Sequence, residues 1–444
     1  MNEAATLHHA GVQKVTDKWQ GDGLSADRRH HSAPGLPRDF RSLLVAWAAS
    51  LSGDGLRVVA LPLLALATNP SPAAVAAVAA IASLPWLLIA LPAGAIVDRL
   101  SPNRVIIAAH LVRAALTLGL VAVVVAHSVN ILVLCVFGFL ITAAETFADG
   151  ATQSLMLHVV PTQQLEQANA RFVTVETLAL DLAGPLLAGL LFILQPWLPF
   201  AVSGLAFVVS AGLIRRIRAV AAATLTAGEG VDGSHVGKRS DLRARLQEIR
   251  DGLVFLFRHR VLRTLVLTVA VLAVANAATD AVLVLYARTS LNMSEAVYPT
   301  LLAAYSVGTL IATVIVARLS RRFASSTLLG SAIVGLGLSM LVMGMFVTPA
   351  IALSAYVLLG IFGGTWNVLS ATRRQRHTPR AIVARVSSAF RVVAWGVIPV
   401  GAALGGGVAS QWSVPTVFVS AGVLTLLLAV VVIPALARQE RLAH

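Results

Sequence analysis

From about residue 41 onward the chain alternates long apolar runs with short polar breaks. A helix needs about 20 mostly apolar residues to cross a hydrocarbon core of ~30 Å. Runs of that kind fall at 42–66, 73–98, 103–126, 129–156, 167–194 and 197–218. After a polar stretch, six more follow at 261–286, 297–319, 326–347, 350–371, 384–409 and 412–436. Strands of a membrane barrel would be ~10 residues long with alternating polarity, a pattern these runs lack. The pattern therefore predicts an all-α integral membrane protein with twelve transmembrane helices in two groups of six.

The polar breaks predict its organisation. Residues 1–40 hold Gly, Asp, Arg and two His pairs, His8-His9 and His30-His31, and read as a disordered cytosolic arm of solvated side chains. They contain no apolar segment of the signal-peptide kind. Residues 41–218 form one expected bundle and 261–437 the other, with 438–444 as a tail. Between the bundles, 219–260 begins with the flexible Gly228, Gly230, Asp232, Gly233 and Ser234. It continues with Leu242, Leu246, Ile249, Leu253, Val254 and Leu256 at mainly helical spacing among Arg243, Arg245, Arg250 and Arg258. That reads as a basic amphipathic helix on the inner membrane surface.

Charge adds an orientation. Only 12% of the 444 residues are charged and mean hydropathy is +0.82, where soluble domains carry about 25% charged residues. The net charge of +14 would suggest nucleic acid in a soluble protein, but here its distribution matters more. Alternate connections carry Arg99 and Arg104; Arg171; Arg215, Arg216 and Arg218; Arg318, Arg321 and Arg322; and Arg373 to Arg385. The other connections lack Lys and Arg, apart from Arg288. Positive charge stays inside, so both termini are expected in the cytosol. Cys135 is the single cysteine and lies within an apolar run, which excludes an internal disulfide and any Cys/His metal spacing.

Ionisable residues within the spans point to mechanism. They are Asp54, Arg57, Arg113, Glu145, Asp149, Glu176, Asp181, Asp280 and Arg391. Each costs ~2.5–3.5 kcal/mol at mid-membrane on insertion scales, so most must face a wet cavity or a partner. Asp54 and Arg57, three apart, share a helix face, as do Glu145 and Asp149, four apart. Asp54 is either a proton carrier at mid-span or half of an intrahelical ion pair. Asp149, nearer the cytosol, is expected to pair with Arg104 or Arg171. Glu176 and Asp181, five apart, fall about 140° apart on an α-helix and cannot share a face. Trp47, Trp86, Trp366, Trp395, Tyr305, Asn276 and Asn367 offer aromatic and polar groups for an otherwise apolar cavity, although lipid-facing or interhelical packing is the alternative for each aromatic.

The two halves repeat. Asp98-Arg99-Leu100-Ser101 after the second span parallels Ala317-Arg318-Leu319-Ser320 after the eighth. Gly184-Pro185 with Gly189 parallels Pro399 with Gly401, Gly405 and Gly406. Parallel repeats of this kind form two bundles with a substrate cavity between them at mid-depth. Over 41–437 the chain resembles the major facilitator superfamily. Gly94, Asp98, Arg99 and Arg104 match its signature loop, with Ser101-Pro102-Asn103 departing from the usual Gly and basic residues. Gly184, Pro185 and Gly189 are similar to the antiporter motif, with Leu180 in place of its first Gly. Val160-Pro161 with 165–170, and Arg374-Gln375 through Arg385 to Pro399, resemble the drug:proton antiporters that include the enterobactin exporter and macrolide efflux proteins.

The resemblance implies that helices 1, 4, 7 and 10 line the cavity, making Asp54, Arg57, Glu145 and Asp280 candidates for proton coupling. Gly94, Asp98, Arg99, Arg104 and Asp149 would form the gate, where Asp98 either caps the third span or docks on a helix of the other half. The implied activity is proton-coupled export of drugs, siderophores or secondary metabolites by a monomer in a bacterial inner membrane. A proton-coupled importer and a transport-inactive sensor on the same fold are the alternatives. No phosphate loop stands in the sequence, since Gly237-Lys238 lacks the earlier Gly and the following hydroxyl. No cofactor, metal or enzymatic activity is expected, and the partners are lipid, protons and a small-molecule substrate.

Overall fold

The computed structural model describes residues 37–89, 93, 97, 100–161, 164–217, 242–379 and 382–441. The expected arm up to residue 36, the Gly-rich linker over 218–241 and residues 442–444 lie outside the described residues, as do Gly94, Asp98 and Arg99. The regular structure of the described residues is helical throughout. The first group comprises α1 (Arg38–Thr68), α2 (Pro72–Leu88), α3 (Pro102–Val125), α4 (Ile131–Val159), α5 and α6 (Leu198–Ile214). Helix α5 runs α-helical over Leu165–Glu176, π-helical over Thr177–Ala183 and α-helical again over Gly184–Leu194. The connecting helix α7 spans Leu242–Arg258. The second group comprises α8 (Arg260–Ala281), α9 (Pro299–Leu319), α10 (Ser325–Met345), α11 (Pro349–Arg376), α12 in two pieces (Val383–Gly396 and Ile398–Gln411) and α13 (Val414–Arg441).

Ten membrane-crossing helices satisfy length and hydropathy among the described residues, and the shorter apolar α2 and α6 bring the number to twelve. Their outer faces carry bare aliphatic side chains: Leu132 is 73% exposed, and Val430 and Val431 are each 71% exposed. Such a surface is tolerable in lipid and an aggregation liability in water. Inside the first bundle, α6 is tied to α1 by hydroxyls, with Ser203 donating to the Gly53 carbonyl at 2.9 Å and Ser210 to the Ala46 carbonyl at 2.8 Å. In the second bundle the Tyr286 hydroxyl donates to the Met343 carbonyl at 2.6 Å, and its ring lies 4.4 Å from that of Phe418.

The packing repeats as the sequence does. Helix α1 packs on α5 and α6, α2 on α4, and α3 on α4 and α6. In the second bundle α8 packs on α12 and α13, α9 on α11, and α10 on α11 and α13. Each of these main contacts of one bundle thus has its counterpart in the other. The bundles meet chiefly through α2 against the later piece of α12, and through the later part of α5 against the start of α9. Those segments belong to the half of the molecule away from the helix ends Arg38 and Arg441. Among the described residues, packing between the bundles is sparse in the opposite half.

Candidate functional site

Two sites emerge, one inside the first bundle and one bordered mainly by the second. In the first bundle, α1, α3 and α4 bring four charges together. Arg113 is fully buried, pairs with Asp54, and donates to the Ser50 hydroxyl oxygen at 3.1 Å. Arg57 donates to Glu145 at 2.6 Å, lies 3.4 Å from Asp54, and lies 3.4 Å from the Thr142 hydroxyl. Glu145 is also 3.7 Å from Arg113. The Arg113 guanidinium sits 3.9 Å from the centre of the Phe207 ring, and the buried His110 ring stacks on the same phenylalanine at 6.1 Å. Burying this many ions is tolerable because every charge has an opposite one in reach.

The geometry settles what Asp54 and Arg57 do for one another. They do share a face, but each has a closer partner on another helix: Arg113 for Asp54, and Glu145 for Arg57. Arg113 was legible only as an ionisable residue in the third span, and His110 gave no separate signal. Asp149 stands one turn beyond Glu145 on α4, and among the described residues it forms no ion pair with the exposed Arg104 or with Arg171, contrary to expectation. Both arginines are long side chains at the polar boundary, where solvation competes with pairing.

The second site is a cavity of about 600 Å³. Asn276 and Asp280 of α8, Tyr305 of α9, and Trp366 and Asn367 of α11 border it. Its wall continues through Ser370 and Arg374 of α11 and through Phe390, Arg391 and Trp395 of α12. Helix α2 contributes Ala79, and Trp86 meets Trp395 edge-on at 5.1 Å across the two bundles. Asp280 faces the open space, and among the described residues it has no ion pair. Asp54, Arg57 and Glu145 do not border this cavity, so the expectation that they share it with Asp280 is corrected: Arg113 draws them into the bundle instead. Trp47 is corrected as well. It is 7% exposed and stacks on Phe172 at 5.5 Å, because packing against a neighbouring aromatic buries more of the indole than a cavity wall would.

The Gly-Pro segment of α5 joins the bundles. A Cβ on Gly184 would lie 2.6 Å from Gly55 Cα, so α1 and α5 touch backbone to backbone there. A Cβ on Gly189 would lie 2.7 Å from Pro299 Cγ and 2.8 Å from the Glu295 carbonyl oxygen, at the start of α9. Pro185 has no N–H for the carbonyl four residues earlier, that of Asp181. Ser306 of α9 donates to that carbonyl at 3.0 Å and shares the same proton with Leu302. The preceding π-helical turns, Thr177–Ala183, also overturn the predicted separation of Glu176 and Asp181. A π-helix closes its bonds five residues on, so residues at that spacing return towards one face.

The comparisons with known proteins agree with this architecture. Residues 31–442 match the family described as transmembrane secretion effector. The multidrug efflux pump Tap of Mycobacterium tuberculosis (strain ATCC 25618 / H37Rv) is 29% identical over 233 residues, which is 50% of this chain and 52% of Tap. The Mycobacterium bovis Tap (strain ATCC BAA-935 / AF2122/97) is matched to the same extent, so the chain spans about half the length of the curated relatives it matches. Among solved structures, the nucleoside transporter NupG superposes with a TM-score of 0.71 at 11% identity, covering 90% of this chain and 99% of NupG. A bacterial homologue of the iron transporter ferroportin, in its inward-facing state, gives 0.66 at 18% identity over 89% of this chain and 98% of the homologue. With the family match running almost end to end, the protein belongs to the transmembrane secretion effectors of the major facilitator superfamily, and is a multi-pass membrane transporter rather than an enzyme.

Proposed function

We propose that the protein exports amphipathic small molecules across a bacterial plasma membrane in exchange for protons, working as a monomer by alternating access. The observation that carries this reading is Asp280: an acid without an ion pair among the described residues, set in a cavity with aromatic walls. An unpaired carboxylate in such a place attracts either a proton or a cationic group, and each weakens the hold on the other. Arg215, Arg216, Arg318, Arg321, Arg322 and Arg376 gather at the helix ends on the termini side. The positive-inside rule makes that side the cytosol. With the bundles packed together on the far side, the cavity then loads from the cytosol or inner leaflet. The multidrug efflux pump Tap, similar over half its length, supports export.

The charge cluster of the first bundle supplies a second place for a proton. Asp54 and Glu145 are balanced by Arg57 and Arg113, and Asp149, one turn beyond Glu145 and without an ion pair among the described residues, adds one further negative charge when all are ionised. A surplus buried charge is costly, so one carboxyl is best kept protonated until the bundles rearrange. The gate in this reading is the loop with Gly94, Asp98, Arg99 and Arg104, acting against the seam made by Gly184, Pro185 and Gly189. Inside-out vesicles with an acidic lumen should accumulate an amphipathic substrate and release it when the gradient collapses. Accumulation only in right-side-out vesicles after an external acid pulse would mean import.

A further inference from the structure

The cavity has two chemically opposite ends. Asp280 lies late on α8, towards the half where the bundles touch. Arg374 and Arg391 lie at the other end, late on α11 and early on α12, where the bundles part. On α11 alone, the eight-residue step from Trp366 to Arg374 spans about 12 Å. The Arg374 guanidinium lies 4.1 Å from the centre of the Phe390 ring, which holds it at the cavity wall, and its Nε is buried without a partner. Arg391 is near enough to repel it. Among the described residues neither arginine has an ion pair. Two arginines lining one cavity, neither with an ion pair among the described residues, are a receptor for an anionic oxygen group, bound by charge-assisted hydrogen bonds.

Resting on the reading of this cavity as the substrate site, we infer that it is two-ended. Asp280 takes a cationic nitrogen, and Arg374 with Arg391 takes a carboxylate, sulfonate or phosphate. The preferred substrate is therefore a zwitterionic amphiphile whose flat, apolar middle lies between Trp366 and Trp395. Neither end alone would explain the cavity, since a purely cationic ligand leaves the arginines unpaired. The anion belongs to the small molecule rather than to a lipid headgroup, because both arginines line the same cavity as Asp280.

The test uses the full-length protein in phosphatidylcholine nanodiscs, with four probes on one aromatic frame: ciprofloxacin, its methyl ester, its N-acetyl derivative, and the N-acetyl methyl ester. Binding is read by quenching of tryptophan emission, with W395F as the check that the cavity is occupied. Ciprofloxacin should bind on the order of tenfold more tightly than either singly neutralised form, the worth of one charge-assisted hydrogen bond. R374Q or R391Q should bring the acid-to-ester ratio to about one while the amine-to-acetyl ratio persists, and D280N should do the reverse. This crossed pattern cannot come from misfolding, which would lower all four affinities together. The inference is overturned if both ratios survive R374Q and R391Q, or if both ratios collapse together in either variant. It is likewise overturned if phosphatidylglycerol in the nanodiscs removes the acid-to-ester preference, since the anion would then be a lipid headgroup. Equal binding of all four probes would leave the cavity as the substrate site and refute only its two-ended character. Absence of quenching by any of them would remove the cavity reading itself.

Discussion

Arg113→Met isolates the energetics of the buried charge cluster. Arg113 is 0% exposed, pairs with Asp54, reaches Ser50 at 3.1 Å and Glu145 at 3.7 Å, and covers the Phe207 ring. Methionine fills much of the same volume but leaves Asp54 with Arg57 alone, 3.4 Å away. Removing one partner of a buried pair costs about 3–5 kcal/mol, because the remaining ion is left uncompensated. The lost contact with Phe207 adds up to about 2 kcal/mol in a desolvated site. Asp54→Asn in the same chain removes the stranded charge, so the double variant should be more stable than Arg113→Met by about 2 kcal/mol or more. Denaturant unfolding of the detergent-solubilised protein, read as a double-mutant cycle, measures this coupling directly. A cost below about 1 kcal/mol for Arg113→Met, or a double variant whose cost is the sum of the two singles, would show that water already screens the cluster and that the pairing argument is wrong.

Other substitutions probe function. Asp280→Asn should abolish gradient-driven accumulation in inside-out vesicles while leaving the thermal midpoint unchanged or higher, since a neutral amide is cheaper to bury than an ion; persistence of gradient-driven uptake would remove Asp280 from coupling. Asp54→Asn should uncouple transport from pH, and an unaltered pH profile would leave its ion pairs purely structural. Gly189→Leu places a side chain where the Pro299 ring and the Glu295 carbonyl already stand, so the seam between α5 and α9 must open. Turnover should fall at least tenfold with affinity in detergent changing far less, and an equal loss of both would refute a role in the balance between states. Ser306→Ala removes the donor to the Asp181 carbonyl and should cost about 1 kcal/mol of stability, with no measurable change if a second donor satisfies that carbonyl.

Sequence alone determined the membrane class and the number of spans. The reason is that a bilayer imposes one length on every helix that crosses it. The same regularity exposed the repeat, and the later contacts of α1 through α6 with their counterparts α8 through α13 follow it. Pairs on one helix were legible too, because i,i+3 and i,i+4 spacing places Asp54 beside Arg57 and Glu145 beside Asp149 without knowledge of the fold. What escaped was everything that depends on a partner far along the chain. Arg113 meets Asp54 across 59 residues, and Ser306 meets the Asp181 carbonyl across 125. No local pattern encodes such meetings, since helices of nearly uniform hydropathy can turn any face inward.

The tertiary structure decided which acids share a site. It drew Asp54, Arg57 and Glu145 away from the cavity, left Asp280 there with its neighbours Tyr305 and Trp366, and placed Trp47 in an aromatic stack. It also changed the helical period itself: over Thr177–Ala183 the backbone is π-helical, and residues predicted to diverge turn back towards one face. Periodicity read from sequence presumes a constant 3.6 residues per turn. Where Gly184 and Pro185 let α5 press against α1 and α9, packing overrides that presumption, and only the assembled bundles reveal it.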